Sequence, residues 1–217
     1  MPNLNDLGFL KESICETIVS TYDSKGQPNA APMGVVATSS EQVIIRPYHT
    51  SLTCKNLQVN GCAVVNVTSE PELFYVTAFK EVNPDGKLPH KLFEKAETVN
   101  APRLAAADAT VEVLVVESGS FGSERAEFLC NVQLVKTSKA VPKVFCRAQF
   151  ATIEAIIYAT RIKPFLNGNK QQQELAVHLL ELVNVCEDVV NRTAPNSLYS
   201  EIMADLTQRI RLWRNEK

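Results

Sequence analysis

The stretch IIRPYHTSLTCKNL, from Ile44 to Leu57, runs from an apolar segment straight into a short helical one, with an arginine, a histidine and hydroxyl side chains at the junction. QVIIRPY (42–48) reads as a strand, and TSLTCKNLQVN (50–60) as about two helical turns. Gly61 is a natural stop, because a helix often ends on a left-handed residue. Thr50 and Ser51 are N-cap types, and the first amides behind such a cap attract anions. Arg46 can set a planar, permanently charged fork against phosphate oxygens. Thr53 lies one turn inside, and Lys55 and Asn56 extend the polar set. The junction fits either an ordinary capped helix with solvated charges or an anion site. Capping accounts for one or two hydroxyls and leaves the arginine unexplained.

On either side of this junction the chain is rich in strands. ICETIVSTY (14–22) alternates like a half-buried strand, DSKGQPN (23–29) is turn chemistry, and AAPMGVVAT (30–38) completes a hairpin. Asn29, Pro32, Met33 and Gly34 are expected to interrupt that second strand, since proline belongs at an edge or bulge and glycine allows close approach. Such an irregular edge suits either a plain kink or a flat ligand bonded to freed backbone groups. CAVVNVT (62–68) is a short apolar strand. PELFYVTAF (71–79) fits helix or strand, KEVNPDGKLPH (80–90) is loop, and TVEVLVVES (110–118) and EFLCNVQLVKTS (127–138) are strands around a turn, GSFGSER (119–125).

From about Val144 the apolar period becomes helical. CRAQFATIEAIIYATRIKPFL (146–166) is expected to stop at Pro164, followed by helices over 171–192 and 198–217. Strands first and helices afterwards predict an α+β fold, with a β-rich domain over 1–143 and a helical region over 144–217. Arg147, Glu154 and Arg161 recur every seven residues and share one helix face, either a solvated or intersubunit ion-pair face or a polar patch for a substrate. Trp213 is expected to be a packing anchor and His178 a core or boundary residue.

Bulk properties exclude several classes. The 217 residues are 45% hydrophobic and 21% charged, ordinary for a globular chain. A net charge of −2 gives no broad attraction to nucleic acid or to an anionic membrane. No apolar run approaches a membrane span and no signal peptide is evident, so a cytoplasmic protein is expected. The six cysteines, Cys15, Cys54, Cys62, Cys130, Cys146 and Cys186, are scattered and read as buried thiols. With three separated histidines, 49, 90 and 178, no metal site is expected. GxxxxGK[ST], GxGxxG and GxSxG motifs are missing, as is any visible pair of catalytic carboxylates. An enzyme of this kind would leave the chemistry to a cofactor.

The succession NAAPMGV (29–35), IIRPYHTSLTCKNL and CAVVNV (62–67) resembles the FMN-binding split-barrel superfamily of flavin reductases and pyridoxamine-phosphate-oxidase-like proteins. Within it, the opening ETIVST and the later ATIEAIIYATRI (151–162) are most similar to a family of archaeal flavoproteins. The resemblance implies a split β-barrel followed by three helices, with FMN as cofactor. By resemblance, Arg46, Thr50, Ser51 and Thr53 hold the phosphate, with Lys55 or Asn56 nearby. Pro32, Met33 and Gly34 lie along the isoalloxazine edge, Pro47 and Tyr48 line the ribityl chain, and Asn66 sits under the ring. It further implies a homodimer with FMN near the subunit interface and a nicotinamide or other electron donor. The expected function is an FMN-dependent oxidoreductase. The alternatives are a non-catalytic flavin-binding or sensing protein whose helices form an interaction module, and a barrel that has lost its flavin.

Overall fold

The computed structural model describes residues 2–9, 11, 14–138 and 147–215. It is an α+β structure, as expected, with strands β1 (Ile14–Tyr22), β2 (Pro28–Ala37), β3 (Gln42–Ile45), β4 (Cys62–Val67), β5 (Phe93–Lys95), β6 (Pro102–Leu104), β7 (Ala109–Phe121) and β8 (Arg125–Thr137). The helices are α1 (Leu52–Asn60), α2 (Pro71–Ala78), α3 (Arg147–Leu166), α4 (Lys170–Thr193) and α5 (Leu198–Asn215). Two compact units emerge, one of Met1–Thr68 with Phe79–Val141, the other of Ser69–Ala78 with Pro142–Lys217.

In the first unit, β1-β2-β3-β8-β7-β4 form a closed antiparallel barrel, with β5 and β6 as a separate two-stranded ribbon. The β1–β2 hairpin turns where Asp23 does two jobs: its carboxylate accepts from the amides of Lys25 (2.7 Å) and Gln27 (2.8 Å), and its carbonyl from Gly26 N. Residues 17–21 of β1 are all buried, so the strand is covered on both faces, not half-buried. One face looks into the barrel, where Val19 joins Val35, Ile45, Val65, Val111, Val113 and Phe128. The other lies under β6, whose Pro102 carbonyl accepts from Ser20 Oγ at 2.5 Å.

The expected interruption of β2 does not occur. Its pairing with β1 runs in register from Val36 opposite Ile14 to Pro28 opposite Tyr22. Pro32 fits because β3 pairs only with Val35–Ala37, so the first part of β2 keeps one edge open and no ladder bond is lost there. The turn expected over 119–125 is tighter: β7 and β8 extend into it, leaving three residues, with Gly122 at φ 66°.

Two polar side chains lock the barrel wall from outside. Asn66, 0% exposed, donates from Nδ2 to Ile18 O and Ser20 Oγ, both at 2.8 Å, and to Val64 O at 3.2 Å. Its Oδ1 accepts from Leu104 N at 2.7 Å, which ties β6 to β4. Glu112, also 0% exposed, accepts from Glu97 N (2.8 Å), Thr98 N (2.6 Å) and Thr98 Oγ1 (2.5 Å). This cage holds down the loop that places Ala96, Val99 and Ala101 over Cys62 and Val64. Burial pushes the Glu112 carboxyl up, but the hydrogen bonds from Glu97, Thr98 and Val99 outweigh it and hold the group below its ordinary value.

The second unit is helical, and α3 packs against α2, α4 and α5. PELFYVTA is thus a helix, buried through Leu73, Phe74 and Tyr75. Tyr75 donates from its hydroxyl to Asp205 on α5, where Arg209 Nε also reaches Asp205 at 2.6 Å. Contrary to expectation, α3 passes through Pro164 to Leu166; so near the end, the proline removes one backbone bond and the helix stops within a turn. Asn169 caps α4 in a full capping box with Gln172. Trp213 is buried with Lys163 over its ring at 5.4 Å, but His178 is exposed, facing Glu181, and not at the core boundary. Arg147, Glu154 and Arg161 are all exposed on α3. Among the described cysteines, Cys54, Cys62 and Cys130 are buried, whereas Cys15 and Cys186 are only half-buried; Cys146 lies outside the described residues. Burial pushes the Cys130 thiol up to about 12, which suits an inert apolar side chain.

Candidate functional site

A fork in the barrel wall collects most of the expected site residues. β2 and β3 pair only over Val35–Ala37 and Val43–Ile45. Below that point β2 continues with β1 alone, from Gly34 back to Pro28. The chain leaving β3 follows β8 instead: Ala126 N donates to Pro47 O at 3.0 Å, Tyr48 bridges to Arg125, and His49 N donates to Glu124 O at 3.0 Å. One prong therefore carries Pro32, Met33 and Gly34 with an open backbone edge. The other carries Arg46, Pro47 and Tyr48.

The first turn of α1 closes the base of the fork. Ser51 N donates to Tyr48 O at 2.9 Å, tying the helix start to one prong. Asn29 Nδ2 donates to Thr53 Oγ1 at 3.3 Å, tying it to the other. Ser51 is the N-cap, with Oγ accepting from Cys54 N at 3.1 Å. The amides of Leu52 and Thr53 have no partner among the described residues, as expected of a helix start. They form, with the exposed hydroxyl of Thr50, a donor set for an anion. Cys54 and Leu57, on the opposite side of α1, plug the barrel core.

The arginine of the opening stretch is only partly available. Arg46 Nε donates to Glu127 Oε2 at 2.6 Å, and its guanidinium lies 4.0 Å over the Phe121 ring. Its terminal nitrogens have no partner among the described residues. Arg125, passed over by the sequence reading, lies 4.0 Å over the Tyr48 ring and donates from Nη1 to Arg46 O at 2.8 Å. Only its place opposite Tyr48 on β8 reveals this, and that is a long-range pairing.

Two expected residues are held elsewhere. Asn56 is buried, with Nδ2 donating to Thr21 Oγ1 at 2.9 Å, a strut between α1 and β1. Asn66 faces β6, with its amide fully engaged in the barrel wall. Lys55 and His49 are exposed.

Sequence reasoning missed Lys80, which follows α2 in a short 3-10 turn, Lys80–Val82. Its ammonium donates to Asn29 Oδ1, the same side chain that reaches Thr53. Asn29 and Thr53 are 3% and 2% exposed. Desolvation lowers the Lys80 pKa, and no carboxylate pairs with it among the described residues.

No helix among the described residues is long and apolar enough to cross a membrane. The barrel and its helices match an FMN-bound protein from Methanosarcina mazei, of the DUF447 family, at 23% identity and a TM-score of 0.75, covering 94% of this chain and 98% of that one. A candidate flavin reductase from Haemophilus somnus matches at 17% identity and a TM-score of 0.50, over 58% of this chain and 82% of that one. A flavoredoxin from Methanosarcina acetivorans matches at 17% identity and a TM-score of 0.46, over 58% and 69%. The model of the DUF447 N-terminal domain, described as a protein of unknown function, matches residues 15–163, from β1 well into α3. With that match over most of its length, the chain belongs to the DUF447 family.

Proposed function

We propose that this chain binds FMN in the fork and serves as an FMN-dependent oxidoreductase. The observation that carries this is the fork itself, which joins an open strand edge to a helix start whose amides lack partners. The residues present fit the cofactor. A flat ring needs a backbone edge and apolar neighbours, which Pro32, Met33 and Gly34 offer. A dianionic phosphate needs clustered donors, which Leu52 N, Thr53 N, the Thr50 hydroxyl and the Arg46 terminal nitrogens offer. The FMN bound to the Methanosarcina mazei protein of the same family supports the same reading.

Bound there, FMN supplies hydride or electron transfer through its N5 atom. The chain's own part is to bind, orient and shield. The first turn of α1 anchors the phosphate, and Tyr48 and Pro47 border the ribityl chain. The β2 edge holds the ring, so no protein nucleophile or acid–base pair is required. We assign the active form as a cytoplasmic homodimer with FMN near its interface. Val116 and Phe121 on the β7–β8 hairpin are 51% and 49% exposed and suit coverage by a second copy.

Anaerobic mixing of the FMN-loaded protein with NADH or NADPH separates an oxidoreductase from a carrier. Bleaching of the flavin absorbance, followed by recovery on addition of an acceptor, is the expected result. A flavin that stays oxidised with every nicotinamide and deazaflavin donor would reduce the function to binding.

A further inference from the structure

We propose that Lys80 is the principal counter-charge for the FMN phosphate and the residue that makes the site prefer FMN to riboflavin. This rests on the fork being an FMN site. It adds a residue far from that site in sequence, and it moves the main cationic role away from Arg46.

The ammonium of Lys80 donates to Asn29 Oδ1, and Asn29 Nδ2 donates to Thr53 Oγ1 at 3.3 Å. Two consecutive contacts therefore set the ammonium one side chain away from Thr53 in the first turn of α1, where the amides of Leu52 and Thr53 are without partners among the described residues. An ammonium has three protons to donate, and the Asn29 oxygen takes one. Lys80 is withdrawn from water yet faces only a neutral amide, since no carboxylate pairs with it among the described residues. A cation so placed is costly unless an anion completes it. Arg46 differs: Glu127 already neutralises it at 2.6 Å and the Phe121 ring covers one face. Lys55 is exposed and screened by solvent. Of the cations around the fork, Lys80 and Arg125 both combine partial burial with the lack of a counter-ion among the described residues. Arg125, however, is engaged with Arg46 O and the Tyr48 ring on the β3–β8 prong, whereas Lys80 is linked through Asn29 to the helix start. The anion that suits both a helix start and a nearby uncompensated ammonium is a phosphate monoester, and FMN carries one where riboflavin carries none.

The test is titration of the apoprotein with FMN and with riboflavin, for wild type, Lys80→Met and Lys80→Arg. Lys80→Met should weaken FMN by about 10- to 100-fold, the range for a charged hydrogen bond, and leave riboflavin unchanged. Unaltered riboflavin binding also shows that the variant is folded. Lys80→Arg, which keeps the charge, should retain most of the preference for FMN. Equal weakening of both flavins would place Lys80 against the ring and overturn the assignment, as would unchanged FMN affinity in Lys80→Met. A wild-type chain that takes up neither flavin would instead overturn the FMN reading of the fork, and the Lys80 assignment with it.

Discussion

Replacing Glu112 by glutamine tests the device that holds the barrel's outer wall. The carboxylate is fully buried and accepts from Glu97 N, Thr98 N and Thr98 Oγ1 at 2.8, 2.6 and 2.5 Å. Glutamine has nearly the same shape but turns one acceptor into a donor. In its better orientation it leaves one backbone N–H facing an NH2 group and converts the other bonds from charged to neutral. One buried donor left unmet costs about 1–3 kcal/mol, and each of the two charged bonds made neutral about 1 kcal/mol, so about 3–5 kcal/mol of stability should be lost. Urea denaturation at neutral pH measures the difference between wild type and variant. The pH dependence adds a second constraint. Because the folded carboxyl sits below its ordinary 4.5, its stabilisation is complete above that value and disappears as pH falls through the depressed one. The gap between wild type and Glu112→Gln should therefore be constant from neutrality down to about pH 5 and narrow below it. A loss under about 1 kcal/mol at neutral pH, or a gap that stays constant into strong acid, would refute the caged-carboxylate account.

Three further outcomes follow from the site. Glu127→Gln should tighten FMN and Arg46→Ala should weaken it, each by about fivefold, since the two side chains form one half-exposed ion pair with opposite effects on a phosphate; fluorescence titration reads both. Ser51→Ala removes the cap on Cys54 N and should lower stability by about 1 kcal/mol in thermal or urea denaturation. Asn66→Asp sets a carboxylate against the carbonyls of Ile18 and Val64 and should cost about 3 kcal/mol or more. The folded fraction of that variant should bind FMN with unchanged affinity, as titration at low temperature would show.

The elements legible in the sequence are those whose signals are local. The turn at Asp23–Gln27, the Ser51 cap and the Gly61 stop act within a few residues, and the β1–β2 hairpin, α1 and β4 lie where those signals put them. Pro32 was misleading because its effect depends on whether a neighbouring strand needs its N–H, and the fork ensures that none does. Pro164 misled because its cost is small in a final turn. The three-residue strands β5 and β6 carry too little pattern to be read, and β6 is fixed by Asn66, 38 positions from Leu104. The candidate site divides in the same way. Arg46, Thr50, Ser51 and Thr53 share one stretch of chain and were visible together. Lys80 reaches Asn29 across 51 positions, and Arg125 reaches Tyr48 only through strand pairing, so neither had a local signature. Asn66 looked available because nothing in CAVVNV shows that its amide is engaged with β1 and β6.

The most direct measurement is the flavin content of the protein purified without added cofactor, followed by titration of the stripped chain with FMN. The fork account predicts a yellow protein whose denatured extract contains FMN, and an apoprotein that regains one FMN per chain. A colourless preparation that also takes up no added FMN would contradict it.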